Sequence, residues 1–225
     1  MTHLARRAVA SLVALLCLLG TAAAHADGRP TNPIPDYRTA LPLVWGKLYP
    51  EGGETLYCGR QFGKRKGRRI NVEHVFPMSW VAWHLSCGRR NECRDASPEF
   101  NRIEADLHNL WPARIDVNEA RASHPFGIIP GEARPFGDCD FEVDEARRLV
   151  EPRPAVRGEI ARTMFYMAET YGLEIRSRLG RTLQDWHRAD PPSAEERRRN
   201  DLIETIQGNR NPFVDDPRRA TRLRF

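Results

Sequence analysis

The sequence has no internal repeat, no Cys-x-x-Cys pair and no apolar run of membrane-spanning length. Without a repeat, the roughly 199 residues that follow an N-terminal leader read as a single domain with a sizeable core, although length alone allows two small ones. Without close cysteine pairs, a structural zinc site loses its usual spacing, and zinc held by Cys87, Cys93 and His84 or His108 becomes a rival reading only. No recognition-helix or finger pattern is present either, so nothing here is built to read base edges. Acidic residues are missing locally from Arg60 to Arg69, a stretch that holds Arg60, Lys64, Arg65, Lys66, Arg68 and Arg69. Such a run is ordinarily a solvated loop, but beside an active site it suits the phosphates of a polyanion.

The N-terminus carries His3, Arg6 and Arg7, then an apolar run from Ala8 to Gly20 and the small residues TAAAHA. These are the three parts of a secretory signal peptide over residues 1–26, with Ala24-His25-Ala26 as the cleavage pattern and Asp27 as the first mature residue. The run is too short for an ordinary membrane span, and a permanent N-terminal anchor is the alternative. Cys17 leaves with the leader. Export leaves 33 basic against 30 acidic side chains, a net charge of about +3.

The cysteines that remain are Cys58, Cys87, Cys93 and Cys139. An even number in an exported chain favours two disulfides, and three pairings are possible. Cys87 and Cys93 flank the short polar segment GRRNE and suit a local clip, which leaves Cys58 with Cys139 as a long-range closure.

Asp27 to Pro35 read as a flexible lead-in, with order starting near Tyr37. In SPEFNRIEADLHNLWP, Ser97 is an N-cap and Pro98 a first helical residue. Phe100, Ile103, Leu107 and Leu110 then recur at helical spacing as a buried face. On that helix Asn109 falls about half a turn from Phe100 and Glu104 lies on the flank of the stripe. Pro112 ends this helix, and a second helical piece to about Arg121 carries Asn118, whose bland reading is a hydrogen-bonded core amide. Ala122 to Asp140 are mostly loop. Helices follow from Gly158 to Tyr171, closed by Gly172, and from Glu195 to near Gly208. The core spans about residues 37–214, and a flexible basic tail covers 215–225.

The centre of the reading is Arg68 to Trp80, RRINVEHVFPMSW, a β-branched strand with Glu73 and His74 near its end and Pro77 as its stop. A carboxylate and an imidazole together can hold a metal ion and activate water. Neighbours on a regular strand face opposite ways, so the two can share a site only where the strand twists or breaks.

Taken in order, EHVFPMSW, GRRN, IEADLHNLWP, the VN that ends nine residues after Asn109, RGEIARTMFYM and QGNRNPFV resemble the bacterial endonuclease I family of exported nucleases, over roughly Leu56 to Val214. The resemblance implies an α+β fold: a ββα-metal nuclease core embedded in a largely helical single domain. It implies one divalent ion, magnesium with calcium or manganese as substitutes, and cleavage of DNA, and of RNA in many members, with little sequence preference. By motif, Glu73 and Asn118 are similar to the family's direct metal ligands, His74 to its general base, and Glu104 to a glutamate acting through water. Asn109 belongs to the same motif and ranks behind Asn118. The GRRN segment resembles the place of a phosphate-steadying arginine, Arg89 with Arg90 as runner-up. The expected partner is nucleic acid, with no membrane and no obligate protein partner, in the periplasm or outside the cell. A non-enzymatic basic protein that binds nucleic acid or another polyanion is the alternative from a different class, and a zinc enzyme using His and Cys a third.

Overall fold

The described residues, 32–131 and 133–225 of a computed structural model, combine helices with three antiparallel two-stranded ribbons. In chain order the elements are α1 (Tyr37–Leu43), β1 (Gly52–Glu54), β2 (Gln61–Gly63), β3 (Ile70–His74), α2 (Met78–His84), α3 (Arg90–Ala96), α4 (Pro98–Glu104), β4 (Leu110–Arg114), α5 (Ile115–Arg121), β5 (Phe141–Asp144), β6 (Leu149–Pro152), α6 (Arg157–Tyr171), α7 (Ser177–Ala189), α8 (Ala194–Gln207) and α9 (Pro212–Asp215). This is the α+β class. The expected signal peptide, residues 1–26, lies outside the described residues, as does the lead-in up to Thr31.

The ribbon that matters is β3–β4, paired so that Glu73 faces Trp111 and His74 faces Leu110. Reading Leu110 as helical was an error, and the helix opened by Ser97 ends at Glu104. Pro112 sits inside β4, where a central strand would lose a ladder bond. Here the Pro112 carbonyl accepts from the Leu56 N–H at 2.8 Å, so that residue's polar edge points away from β3 and no bond in the pair is lost. Leu107 and Leu110 are fully buried as expected, but in a 3-10 turn and a strand.

Both faces of this ribbon are covered. Val72 and Leu110 join a cluster with Ala40, Val44, Leu48 and Ile203, while Val75 and Ala113 join the larger core around α6. In that core Ile160, Met164 and Phe165 meet Phe100, Val117 and Phe213. Helix α6 and its stop at Gly172 (φ 66°) agree with the sequence reading, as do α8 and Gly208 (φ 84°). Gly158 is obligatory: a Cβ there would lie 2.0 Å from the Asp190 carbonyl oxygen. Helix α7, unread in the sequence, packs on α6 through Leu179, Leu183 and Trp186, spaced a turn apart.

Two flexible segments of the sequence reading are docked instead. Asn32 is buried and donates to the Arg102 carbonyl at 2.8 Å, and Ile34 is buried in the smaller cluster. The tail is not loose: Phe225 stacks on Phe165, ring centroids 5.8 Å apart, and Gln184 donates to the carbonyls of Ala220 and Leu223. Its arginines suggested disorder, but its apolar residues reach the core. The cysteines form Cys58–Cys139, closing 81 residues, and Cys87–Cys93, closing 6, so none of the four is available to zinc.

One half-buried acid gives a pH signature. Burial first, and then the neighbouring Glu196 carboxylate, pushes Glu159 up to about 8 against an ordinary 4.5. The folded state therefore holds this proton more tightly than the unfolded chain, and stability falls as pH rises from about 4.5 to about 8. Glu159→Gln should raise the unfolding midpoint at pH above about 8 and leave it unchanged at pH 4, where both states are protonated. Thermal melts at the two pH values check this.

Candidate functional site

The strand β3 stops at His74 and the chain bends at Val75 and Phe76 before Pro77 opens α2. Asn109 makes that bend. Its Oδ1 accepts from the Phe76 N–H at 2.7 Å, its Nδ2 donates to the Phe76 carbonyl at 3.1 Å, and its own carbonyl accepts from the Val75 N–H at 3.2 Å. With its amide committed at both ends, Asn109 acts as a backbone clamp. The bend also lets Glu73 and His74, which point to different neighbours, line one cleft of about 740 Å³.

Glu73 is buried between two donors. The Tyr57 hydroxyl donates to its Oε1 at 2.6 Å, and an Arg121 nitrogen lies 3.3 Å from the same oxygen. Burial raises the carboxyl pKa, with Arg121 opposing it. Arg121 also donates to the carbonyls of His74 and Val75, pinning the strand end from below. Neither Tyr57 nor Arg121 was foreseen, because they reach Glu73 across 16 and, for Arg121, 48 positions that no local pattern links.

His74 is backed by the Glu104 carbonyl, 3.0 Å from Nε2, and by the Tyr37 ring at 5.0 Å. A carbonyl can only accept, so Nε2 carries the hydrogen and Nδ1 keeps its lone pair. Burial first, then the charge of Arg90, lowers His74 to about 3, which keeps the imidazole neutral at physiological pH.

Asn118, on α5, spends its Nδ2 on the side-chain oxygen of Asn71 at 3.0 Å and the Val72 carbonyl at 3.3 Å, both on β3. Among the described residues no side chain donates to Asn118 Oδ1 or Glu73 Oε2, and the His74 backbone N–H is the further group that reaches the Glu73 carboxylate. Two residues with hard oxygens not taken by other side chains, Glu73 and Asn118, therefore border the cleft beside a neutral imidazole. Among the described residues no group of three or more His, Cys, Asp or Glu side chains is arranged to hold a metal, so an ion at these two residues would need water and substrate to complete its shell.

Helix α3 supplies the positive charge. Arg90 and Arg94, one turn apart and on one face, both donate to the buried Glu104 carboxylate, at 2.6 Å and 2.8 Å. Burial pushes that carboxyl up, but the bonds from Arg94 and Arg90 outweigh it and the net shift is downward. Both Glu104 oxygens are thus taken by arginine, and Glu104 positions these side chains where a water-bridged metal contact was expected. Arg89, the first choice from sequence, also borders the cleft, but its guanidinium is 90% exposed and bound to Glu92. Arg94 was missed because the motif stopped at GRRN. The Cys87–Cys93 bridge joins the end of α2 to α3 and so fixes where Arg90 and Arg94 stand.

The basic run does not line the cleft. It leads into the opposite end of β3, where Arg60, Lys64, Arg65, Arg68 and Arg69 are exposed, Lys64 faces Glu51, and Lys66 donates to the Ile70 carbonyl over the Trp45 ring. His108 is a packed residue, against Tyr166 at 4.3 Å and with Nε2 at 3.3 Å from the Asn209 carbonyl.

Comparison with known proteins identifies the family. The family model described as Endonuclease I matches residues 47–218. An extracellular deoxyribonuclease of Aeromonas hydrophila is 37% identical over 225 residues, covering 89% of this chain and 94% of the relative. A periplasmic deoxyribonuclease of the same organism is 36% identical, covering 75% and 81%. An Endonuclease-1 of Buchnera aphidicola subsp. Acyrthosiphon pisum (strain APS) is 34% identical, covering 76% and 70%. With a family match that takes in β3, α3, β4 and α5 together, the chain belongs to the endonuclease I family.

Proposed function

We propose that this chain is an exported, metal-dependent endonuclease that hydrolyses phosphodiester bonds of DNA, and of RNA by the same phosphate-directed chemistry, without sequence preference. The β3–β4 ribbon with α5 against it serves as a ββα-metal core. One observation carries the reading: Glu73 and Asn118, whose Oε2 and Oδ1 accept from no other side chain among the described residues, border the same cleft as a neutral His74. Glu73 and Asn118 hold the ion, magnesium by preference for hard oxygen donors, with calcium or manganese as substitutes. When bound, the ion supplies a positive charge for the scissile phosphate and the leaving oxygen. It also offsets the burial that otherwise raises Glu73.

The side chains do the rest. His74 Nδ1 takes a proton from the attacking water, whose oxygen bonds to phosphorus as the bond to the leaving oxygen breaks. The Glu104 carbonyl holds the ring in the tautomer this needs. Arg90 and Arg94 face the phosphate, and we assign them the steadying role ahead of Arg89, whose charge is turned to Glu92 at the rim. Two disulfides and the deoxyribonuclease relatives found outside the cell or in the periplasm support a periplasmic or secreted location.

The test is plasmid cleavage with magnesium, with and without chelator. Cleavage that the chelator leaves untouched would overturn the metal, and no cleavage at all would favour the non-enzymatic polyanion binder. Glu73→Gln and Asn118→Ala should each raise the magnesium concentration for half-maximal rate by at least about tenfold, the scale lost even with an outer-shell partner. Unchanged magnesium dependence in both would place the ion elsewhere.

A further inference from the structure

A second cavity, of about 540 Å³, borders α2 on its other side. Met78, Ser79 and Ala82 of that helix face the cleft, whereas Trp80, Trp83 and His84 face the second cavity. The ridge between them is thin. Ser123 lines both spaces and its hydroxyl is hydrogen-bonded to that of Ser79 at 2.8 Å.

Three features of this cavity are unexplained by folding. Trp83 is 73% exposed, one of two large apolar side chains so placed among the described residues. Arg147 and Arg148, from the β5–β6 turn, and Arg176, before α7, border the same space. Arg147 is paired with Asp144 at 3.2 Å, but no acidic group lies within ion-pair distance of Arg148 or Arg176 among the described residues, although Glu174 also lines the wall. The third feature is His124, 9% exposed, with its Nε2 3.5 Å from Glu145 and its buried Nδ1 without a hydrogen-bond partner among the described residues.

We infer that this cavity is a nucleobase subsite, which takes an unpaired base of the strand running out of the cleft. The inference rests on the nuclease reading above and names how that same site holds its substrate. Stacking on an aromatic face with arginines for the adjoining phosphates is how single-stranded nucleic acid is held without sequence preference, because every base has a π-face. Trp83 is the platform, Arg148 and Arg176 meet phosphates, and the His124 ring forms part of the wall. A preformed volume in the range of about 300–1,000 Å³ usual for small-molecule sites fits a base with its sugar. Since a paired base cannot enter, the subsite favours single-stranded or frayed ends over intact duplex.

The probe is a 5′-labelled hexadeoxyadenylate, titrated by fluorescence anisotropy against wild-type protein in chelator, where cleavage is stopped. Trp83→Ala should raise its Kd by at least about fivefold, with Trp83→Phe restoring most of the loss. Arg148→Ala with Arg176→Ala should weaken binding and reduce its salt dependence. Cleavage of supercoiled plasmid with magnesium by the wild-type protein is the separate control for the nuclease reading. Hexanucleotide binding by Trp83→Ala equal to wild type, while both cut plasmid, would overturn the subsite and leave the nuclease intact. Failure of wild type itself to cut plasmid would instead remove the nuclease reading.

Discussion

His74→Ala is expected to slow plasmid cleavage by about 10²- to 10⁴-fold, the usual cost of removing a general base, while Kd for DNA measured in chelator stays unchanged. The ring is buried behind Tyr37 and bonded to a backbone carbonyl, so it contributes no contact that anchors a phosphate. Its loss removes a proton acceptor from the reacting water and leaves Arg90 and Arg94 in place for binding. The loss should therefore appear in kcat. A variant that cleaves at the wild-type rate would end the mechanism, and one that loses binding and kcat together would show His74 to be a packing residue.

The largest expected effect on stability lies far from the cleft, at Arg162 of α6. This side chain is fully buried and donates to both Glu196 oxygens at 2.6 Å and to the Asp190 carbonyl at 2.7 Å. Breaking such a pair typically costs about 3–5 kcal/mol, because the partner charge is left buried and alone. Arg162→Met should do this to Glu196 and lower Tm by about 6–20 °C for a chain of this size. The double variant Arg162→Met with Glu196→Leu should recover much of the loss. A single variant that melts within about 1 °C of wild type would mean that water already reaches the pair.

How much of this was readable from sequence depended on whether the signal was local. Ser97 and Pro98 announce α4, and the hydroxyl of Ser97 does accept from the Phe100 N–H, because a cap acts within one turn. The Leu107–Leu110 spacing misled, since a strand with both faces buried shows no alternation and Pro112 looked like a helix stop. Cys87–Cys93 was legible from proximity, and Cys58–Cys139 followed as the remainder. Glu73, His74 and Asn118 were placed by motif, and the structure brings all three to one cleft. Asn109 was misjudged from its position on a helix that does not extend so far. Arg121, Tyr57 and the pairing of Arg94 with Glu104 arise only when distant segments meet, and the tail docks through Phe225 in spite of its arginines.

The Asn109 clamp also sets a local timescale. The last residue of a two-stranded ribbon ordinarily frays, opening and closing far more often than the whole molecule unfolds. Here the peptide groups just past His74 are held by a side chain that mimics a further rung of the ladder, and Arg121 occupies the neighbouring carbonyls. Amide protons of Val75 and Phe76 therefore exchange with solvent only when this part of the core opens, among the slow set and not with the mobile surface. The backbone under Glu73 and His74 keeps one shape between turnovers, so a substrate that arrives meets a site already assembled and spends none of its binding energy on ordering it.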